Sequence, residues 1–456
     1  MRHIPDQAEA QKQFFRDGKT LALSFRLDRL RDLRNLVSDN TDLLCRAVFH
    51  DFGKPEFEAY STEIATVLHE IDYHLKHLKS WAKPKKVKGS LLTFPSGNRI
   101  YHQPYGSVLI IGAWNYPIRL VLHPLVGAIS AGNTVFLKPS ELAPETSKTV
   151  AGLIKKYFAP DYVTAVEGGA ETARILLQLP PDYIFFTGSA KTGKLIMREA
   201  AEHLTPFTLE LGGKSPAIVH QDADMETSAR RIWWGKCMNS GQTCVAPDFV
   251  AVHKNAEPEF IRHSKAVLKS FCGNSATGAF PEVKIINDSH FQRLSALLST
   301  ADLILGGETN AEKRYIAPAL VRADWNQRIM KEEVFGPILP MVVYDSLPEL
   351  AGRLRDMPSP LALYLFTGSS DVRRDVIRNI PFGGGCINDT ISHLGNPNLP
   401  FGGVGASGTG KYHGKYSFDT FSNEKSVLDK PVWVDPDFRY PPYTPAKLNL
   451  IKTFFS

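Results

Sequence analysis

The sequence predicts an α/β protein with two doubly wound domains, and three observations support this fold class. Short apolar runs alternate with helical stretches between residues 106 and 200, as expected for a parallel sheet with crossover helices. A second alternating series after residue 211 includes "FVAVHK", "ILPMVVY" and "LALYLFTGSS". The letters "FTGS" also occur twice, at 186–189 and 366–369, each time at the end of a predicted strand. This repetition predicts two domains of similar design.

The composition is that of a globular protein large enough to build several cores. The chain has 456 residues, of which 43% are hydrophobic and 22% are charged, and its formal net charge is +6. The basic residues are scattered. The densest run, "KPKKVK" at 83–88, lacks the interleaved aromatic residues that stack on bases. We therefore expect a solvated connector there and no nucleic-acid partner.

The cysteines and the chain ends favour a cytoplasmic enzyme. An odd number of cysteines with no close pair argues against a disulfide framework and against a Cys-rich metal site; the five are Cys45, Cys237, Cys244, Cys272 and Cys386. We expect no bound metal. The first fifteen residues lack the apolar core of a signal peptide, and the apolar C-terminus "LNLIKTFFS" is too short to span a bilayer. We therefore expect no membrane anchor.

The amphipathic pattern of the first eighty residues predicts helices. "STEIATVLHEIDYHLKHLKSW" places apolar residues three and four apart, which fits one face of a helix. Beyond "PFGGVGASGTGKYHGK" the pattern becomes irregular, and "KPVWVDPDFRYPPYTPAK" is rich in Pro and Tyr. This last stretch is interpreted as a wrapping or interface tail.

Cys244 occupies an unusual place for a cysteine, because a free thiol is more often buried as a small hydrophobe. It lies in a short polar, glycine-containing turn, "NSGQTCVAP". The residue type alone leaves four interpretations open, namely a nucleophile, a metal ligand, half of a disulfide, or no special role.

Two strand ends carry residues suited to a nucleotide. Thr187 ends an apolar run, and Gly188, Ser189 and Gly193 occupy the turn before a helix, where backbone N–H groups can approach a phosphate. An ordinary strand–turn–helix explains this stretch about as well. In "TVFLKPSELAPE", a lysine and a carboxylate three residues apart could both reach ribose hydroxyls, although a surface ion pair is the alternative; these residues are Lys138 and Glu141.

Three further stretches carry candidate polar groups. Glu210 follows an apolar strand just before two glycines, where a desolvated carboxylate could act as a general base. Asn115, between aromatic residues in "GAWNYP", could donate to an oxyanion. Glu333 and Phe335 in "EEVFGP" could hold a carboxylate and a ring against a ligand. Together these groups would supply a nucleophile, a base, an oxyanion donor and a nucleotide site.

With these motifs in order, the chain resembles the aldehyde dehydrogenase superfamily over residues 105–422. The matching stretches are "GAWNYP", "KPSELAPE", "FTGSAKTGK", "LELGGKSP", "NSGQTCVAP", "EEVFGP" and "PFGGVGASGTGKYHG". The glutamate and cysteine motifs are 34 residues apart, a usual interval for the family. "NDTISHLGNPNLPFGGVG" and "RYPPYT" look like the class 3 branch.

The resemblance implies a division of the chain. A doubly wound cofactor-binding domain would comprise residues 1–81 and 105–210, and a similar catalytic domain would comprise residues 211–405. Residues 82–104 and 406–432 would form a bridging β-arm that supports a homodimer, and residues 433–456 a C-terminal tail.

The resemblance also implies a role for each motif. Cys244 would attack the aldehyde, and Asn115 with the Cys244 backbone N–H would hold the oxyanion. After hydride passes to the nicotinamide, a thioester would remain on Cys244, and Glu210 would activate the water that releases the acid. The residues implied to bind the cofactor are Trp114, Lys138, Glu141, Thr187, Gly188, Ser189, Gly193, Leu211, Glu333 and Phe335.

Specificity is predicted only in outline. The residues implied to line the substrate tunnel are mostly apolar or aromatic, namely Tyr116, Ile391, Phe401 and His413. No arginine stands out as a partner for a second carboxylate, so medium-chain aliphatic or aromatic aldehydes are expected rather than semialdehyde acids. We expect NAD to be preferred and NADP also to be accepted. A coenzyme A-acylating relative and a catalytically silent structural homologue are the alternatives.

Overall fold

The computed structural model describes residues 4–272 and 283–455 and contains the helices that the amphipathic pattern predicts. Apolar residues at three- and four-residue spacing face the core in most of them. The α-helices are α1 (Ile4–Arg16), α2 (Leu23–Ser38), α3 (Thr41–Phe52), α4 (Glu56–Ala59), α5 (Ala65–Trp81), α6 (Arg119–Ala131), α7 (Pro144–Tyr157), α8 (Ala170–Leu177), α9 (Ala190–Glu202), α10 (Met225–Cys237), α11 (Glu257–Cys272), α12 (Asp288–Ser299), α13 (Arg328–Lys331), α14 (Leu347–Asp356), α15 (Ser370–Asn379), α16 (Lys415–Thr420) and α17 (Pro445–Phe455).

The apolar runs form strands, as predicted. Many are buried along their whole length, which is typical of parallel sheets covered on both faces. The strands are β1 (Lys85–Lys86), β2 (Gly97–Pro104), β3 (Ser107–Ile111), β4 (Thr134–Lys138), β5 (Val163–Ala165), β6 (Tyr183–Thr187), β7 (Phe207–Glu210), β8 (Pro216–Val219), β9 (Phe249–His253), β10 (Asp302–Gly306), β11 (Thr309–Asn310), β12 (Tyr315–Ile316), β13 (Ala319–Arg322), β14 (Ile338–Tyr344), β15 (Ala362–Phe366), β16 (Gly384–Ile387), β17 (Gly408–Thr409) and β18 (Ser422–Asp429).

The first large sheet has the strand order β17-β7-β6-β3-β4-β5. Its five main strands pair in parallel, and the short β17 joins antiparallel to β7. When these five parallel strands are renumbered 1 to 5 by their order along the chain, their order across the sheet is 3-2-1-4-5. The topological switch lies between the first and fourth of them, β3 and β6. Ligands of doubly wound sheets bind outside the carboxyl ends of the strands at such a switch.

The second large sheet has the order β10-β13-β14-β9-β8-β15-β16 and is also parallel except for its edge strand β10. Two mainly parallel sheets confirm the predicted α/β fold class. Lys85 and Lys86, predicted to be solvated and to lie within the bridging β-arm, are exposed and form the two-residue strand β1. That strand joins β2 and β18 in a separate three-stranded antiparallel sheet.

The tail beyond residue 433 contains one element that the Pro- and Tyr-rich composition did not predict. Helix α17 follows Thr444, and its exposed side chains include Leu448 and Leu450. Among the helices within the described ranges, none is long and apolar enough to cross a membrane. Nor do any three His, Cys, Asp or Glu side chains in those ranges converge to hold a metal ion.

Candidate active site

The candidate residues of the first sheet lie at the carboxyl ends of its strands. Trp114 and Asn115 follow β3, Thr187 ends the neighbouring β6, Lys138 ends β4 and Glu210 ends β7. Because these strands are parallel, their carboxyl ends share one edge of the sheet. The fold therefore brings together side chains that are far apart in sequence.

The loop before Cys244 follows a left-handed path that requires its glycine. Asn239, Ser240 and Gly241 all have positive φ angles, of 53°, 50° and 70°. A Cβ at Gly241 would also collide with the carbonyl oxygen of Gly336. The "GQTC" turn and the "EEVFGP" segment are thus packed backbone against backbone.

Two of the hydrogen bonds between the Cys244 loop and the Asn115 turn lie just before Cys244. The Asn115 Nδ2 donates to the carbonyl oxygen of Gln242 at 3.1 Å. The hydroxyls of Tyr116 and Thr243 are 2.6 Å apart. Cys244, the next residue, is half-buried. The predicted nucleophile and the predicted oxyanion donor therefore lie on adjoining, mutually bonded segments.

A buried ion pair hydrogen-bonds to the backbone of the Asn115 turn. Lys54 Nζ lies 2.9 Å from Glu63 Oε1, and both side chains are fully buried. The other carboxylate oxygen of Glu63 accepts from the Ile118 N–H at 2.9 Å, and Lys54 also donates to the Asn115 carbonyl oxygen at 3.5 Å. Glu63 lies in the single π-helical turn Tyr60–Ile64, a distortion often found beside functional sites.

Glu210 is buried with no hydrogen-bond partner for either carboxylate oxygen within the described ranges. Burial raises its pKa well above the ordinary value, an effect that the Lys411 charge partly offsets. A Cβ at Gly402 would lie 2.8 Å from Glu210 Oε1, so the "PFGG" segment leaves room for this carboxylate only because it has glycine there.

The thiol of Cys244 has a raised pKa in the free protein. Burial is the main cause, and the nearby carboxylates of Glu333 and Glu210 add to it, which brings the pKa to about 12. Burial, together with Asp248, likewise raises the pKa of Glu333 to about 8. The charges of two carboxylates, Glu333 and Glu210, thus act on the Cys244 thiol.

A cleft of about 670 Å³ lies beside this site and has the features of a dinucleotide site. Its lining includes Ser189 at the N-terminus of α9, the glycines of "LELGG" and Glu333. A Cβ at Gly212 would collide with the Glu333 carboxylate. Thr187 Oγ1 is buried and has no hydrogen-bond partner within the described ranges. The orphaned hydroxyl and the helix N-terminus suit phosphate groups, so these residues fit a nicotinamide dinucleotide.

Four other predicted cofactor residues, Trp114, Lys138, Glu141 and Phe335, do not line the cleft itself. The rings of Trp114 and Phe335 meet edge to face at 5.4 Å, and Phe335 has a positive φ of 48°. Lys138 is buried and its Nζ lies 2.5 Å from Glu141 Oε2, so these two groups neutralise each other in the free protein.

Close packing contacts surround three further predicted cofactor residues, Gly188, Gly193 and Leu211. A Cβ at Gly193 would lie 2.9 Å from Leu211 Cδ2, and one at Gly188 would meet the Phe186 ring at 2.5 Å. Gly193 is buried and allows α9 to pack closely on the end of β7. Close helix–strand packing is a recognised function of a glycine in phosphate-binding turns.

The four predicted substrate residues are all buried. The rings of Phe401 and His413 stack with centroids 5.0 Å apart. Tyr116 bonds to Thr243 beside Cys244. Ile391 has a φ of 62°, an unusual conformation for a β-branched residue. Tyr116 thus bonds to the nucleophile loop directly. The stacked pair connects to it through the rings of His393 and Tyr364, and the Tyr364 hydroxyl donates to the carbonyl oxygen of Val245, the residue after Cys244.

The comparisons with known proteins agree with this geometry. The family model of the aldehyde dehydrogenase family matches residues 3–427. The 4,4'-diaponeurosporen-aldehyde dehydrogenase of Staphylococcus aureus is 44% identical, over 97% of this chain and 97% of that protein. A Rattus norvegicus protein named aldehyde dehydrogenase, dimeric NADP-preferring, is 42% identical over 98% of this chain and 99% of its own.

This chain belongs to the aldehyde dehydrogenase family. A solved structure described as the substrate-bound state of Staphylococcus aureus AldH is 43% identical, covers both chains completely and superposes with a TM-score of 0.96. The chain is therefore an oxidoreductase that oxidises aldehydes and uses NAD or NADP.

Several residues around the site of this aldehyde dehydrogenase were not identified from the sequence. Lys54 and Glu63 carry no motif, and only their complete burial as an ion pair distinguishes them. Arg119 was also overlooked, although it begins α6 just four residues after Asn115. That spacing, one helical turn beyond the "WNYP" motif, was the available signal.

Proposed function

We propose that this aldehyde dehydrogenase works by covalent catalysis at Cys244 and yields a carboxylic acid. The observation that carries the proposal is the direct bonding of the Asn115 turn to the Cys244 loop, beside a buried carboxylate without a partner. One N–H of the Asn115 side-chain amide donates to the Gln242 carbonyl oxygen, and the second N–H is available to an oxyanion. The Cys244 backbone N–H would be the other donor.

The chemistry follows from these groups. Cys244 attacks the aldehyde carbon as the thiolate, after its proton has passed to solvent. The new S–C bond displaces the carbonyl π electrons onto oxygen, and Asn115 holds the resulting oxyanion. A bound nicotinamide supplies the hydride acceptor. The thioester that is left on Cys244 then reacts with water, whose proton is taken by Glu210. A carboxylate with a raised pKa is a stronger base than an exposed one, which suits Glu210 to this step.

The cofactor would be held at the edge of the first sheet. Lys138 and Glu141 would bind the adenosine ribose, and the turn from Thr187 to Ser189, with the start of α9, would face the pyrophosphate. Glu333 and Phe335 would position the nicotinamide ribose and ring. We propose that NAD is preferred and NADP accepted, because Glu141 repels a 2′-phosphate while Lys138 attracts it.

We propose medium-chain aliphatic or aromatic aldehydes as substrates. The ring stack of Phe401 and His413 and the aliphatic surface of Ile391 would contact the apolar part of the aldehyde. The hydroxyl of Tyr116 is already bonded to Thr243, so this side chain would contribute its ring rather than a hydrogen bond.

We further propose a cytoplasmic homodimer with the domain division implied by the motifs. The three-stranded sheet coincides with the proposed bridging arm, and its edge strand β18 is largely exposed. An unpaired edge strand is a ready surface for a second copy.

The test is a Cys244→Ala variant assayed with aldehydes and NAD or NADP, with and without coenzyme A. We expect formation of reduced cofactor to be abolished, because no thioester can form, while the cofactor still binds. Cys386→Ala is the matched control, since it removes another half-buried thiol. Turnover of Cys244→Ala near that of the wild type would refute the assignment, and a product that appears only with coenzyme A would refute the role of water.

A further inference from the structure

Arg119 lies on the same helical face as two side chains of the candidate substrate site. Tyr116 is three residues before it and His123 is four residues after it. The backbone is already helical there, because the Leu120 N–H donates to the Tyr116 carbonyl oxygen at 2.9 Å. Side chains three and four residues apart project from one face of a helix.

Both ends of this face contact the proposed site. Tyr116 bonds to Thr243, the neighbour of Cys244, and the His123 ring lies 4.5 Å from the His413 ring. With a rise of 1.5 Å per residue, Arg119 is about 5 Å along the axis from each of them. Its guanidinium therefore belongs between the nucleophile end and the His413 end of the substrate site.

Within the part of the chain that the structure describes, no side chain pairs with the Arg119 charge. Arg119 makes no hydrogen bond or ion pair with any residue in 4–272 or 283–455, and its Nε is buried and unpaired. Glu70, whose carboxylate lies 3.8 Å from His123 Nε2, already accepts hydrogen bonds from Ser417 and from the Gly414 N–H. A buried donor without an acceptor costs about 1–3 kcal/mol, and here that cost applies to Nε alone, because Arg119 is half-buried and its terminal nitrogens are not enclosed. An anionic ligand at this face would pair with those terminal nitrogens.

The histidines around Arg119 do not share its charge at neutral pH. Burial, with a smaller contribution from the Arg119 charge, lowers the pKa of His123 and of His393 to about 4. The positive potential of this face therefore comes from the guanidinium. Guanidinium groups bind carboxylates through two parallel hydrogen bonds.

On the basis of the proposed function, we propose that Arg119 binds an anionic group on the substrate. The preferred substrates would then be aliphatic or aromatic aldehydes that carry a carboxylate at the end remote from the carbonyl. This proposal differs from the expectation from the sequence that semialdehyde acids are disfavoured, because Arg119 supplies a partner for the second carboxylate.

The test compares matched pairs of aldehydes with the wild type and with Arg119→Gln. The pairs are succinic semialdehyde with butanal, and 4-carboxybenzaldehyde with 4-methylbenzaldehyde. We expect the ratio of kcat/KM for the anionic to the neutral aldehyde to fall about tenfold in Arg119→Gln, equivalent to about 1.4 kcal/mol. Arg119→Lys should retain part of the preference for the anionic aldehyde, because lysine keeps the positive charge but lacks the planar guanidinium. Arg46→Gln, which removes an exposed arginine from α3, is the matched control.

Two results would overturn the proposal. An unchanged ratio in Arg119→Gln would show that Arg119 does not contact the substrate anion. An equal fall for both members of each pair, with slower labelling of Cys244 by iodoacetamide, would show that Arg119 acts on the thiol instead. Either result leaves covalent catalysis by Cys244 intact. Failure of the wild type to oxidise any of the four aldehydes would instead refute the proposed function and this inference with it.

Discussion

The ionisation of Cys244 is governed by the carboxylates around it. Burial raises its pKa, and the carboxylates of Glu333 and Glu210 raise it further, to about 12. Glu333 itself has a pKa of about 8. It is therefore mostly uncharged below pH 8 and ionised above it, so its repulsion of the thiolate is strongest on the alkaline side.

The first prediction concerns this repulsion. Glu333→Gln removes a negative charge near the sulfur, so the pKa of Cys244 should fall and the thiolate fraction at pH 9 should rise. We expect Cys244 to be alkylated by iodoacetamide roughly threefold faster or more at that pH, since half a pKa unit corresponds to about threefold. Peptide mass spectrometry measures the rate, and Glu349→Gln, an exposed carboxylate on α14, is the control. An equal rate in the two variants would show that Glu333 does not act on the thiol.

The second prediction concerns the Lys138–Glu141 pair. Glu141→Gln should raise the NADP-to-NAD ratio of kcat/KM, because it removes repulsion and releases Lys138 for a 2′-phosphate. Lys138→Met should lower the ratio. A tenfold change corresponds to about 1.4 kcal/mol, a reasonable magnitude for one such contact. If both variants keep the wild-type ratio, the 2′ position is recognised by other residues.

At the scale of elements, the Asn115 turn depends on a helix that is remote in sequence. The π-helical turn holds Glu63, which pairs with Lys54 and accepts from the Ile118 N–H. Without Lys54, the Glu63 carboxylate would be buried without a counterion. Breaking such a pair on one side costs about 3–5 kcal/mol.

The third prediction follows from this pair. Lys54→Met should lower the free energy of unfolding by about 3–5 kcal/mol and should lower kcat, because the Asn115 carbonyl loses a donor. Urea denaturation and steady-state kinetics measure the two effects. The double variant Lys54→Met/Glu63→Gln should recover most of the stability, since the unpaired charge is gone. If the single variant is as stable as the wild type, the pair does not support the turn.

The elements that the sequence predicted well are those with a strong local signal. The apolar run 183–187 and the glycines after it predicted a strand, a turn and a helix, and β6 and α9 confirm them. Likewise, the glycine pair after Glu210 predicted a desolvated carboxylate, and the carboxylate is buried. A local sequence pattern is enough to predict an element when the backbone geometry of that element requires particular residue types.

The features that the sequence did not reveal depend on tertiary contacts. Lys54 and Glu63 look like ordinary surface residues until their burial is known. The sequence does not show that Arg119 is unpaired; only the structure shows that its Nε has no hydrogen-bond partner within the described ranges. Helix α17 follows a Pro-rich stretch whose composition indicated an irregular tail. Of these cases, only Arg119 carried a local signal, its spacing of one helical turn beyond the "WNYP" motif.

At the scale of the whole molecule, the three-stranded sheet is separate from both large sheets and leaves β18 at an edge. Most side chains of β18 are exposed, including the apolar Val427 and Leu428. An exposed edge with apolar residues is a pairing surface. This arrangement supports the proposed homodimer.

The fourth prediction tests that proposal. The wild type should sediment at twice the mass of the chain, and Val427→Asp/Leu428→Asp should sediment as a monomer, because charges on the edge strand oppose pairing with a second copy. Ile377→Asp, on an exposed part of α15, is the control and should remain dimeric. A wild type that sediments as a monomer would refute the dimer, and a dimeric double variant would place the interface elsewhere.

The central claim is that Cys244 forms a thioester that Glu210 helps water to resolve. The most direct measurement is rapid mixing of Glu210→Gln with aldehyde and NAD, followed by acid quenching and peptide mass spectrometry. We predict a burst of reduced cofactor close to one equivalent per active site, very slow steady-state turnover, and an acyl group on the peptide that contains Cys244. No burst, or an acyl group on a different residue, would contradict the claim.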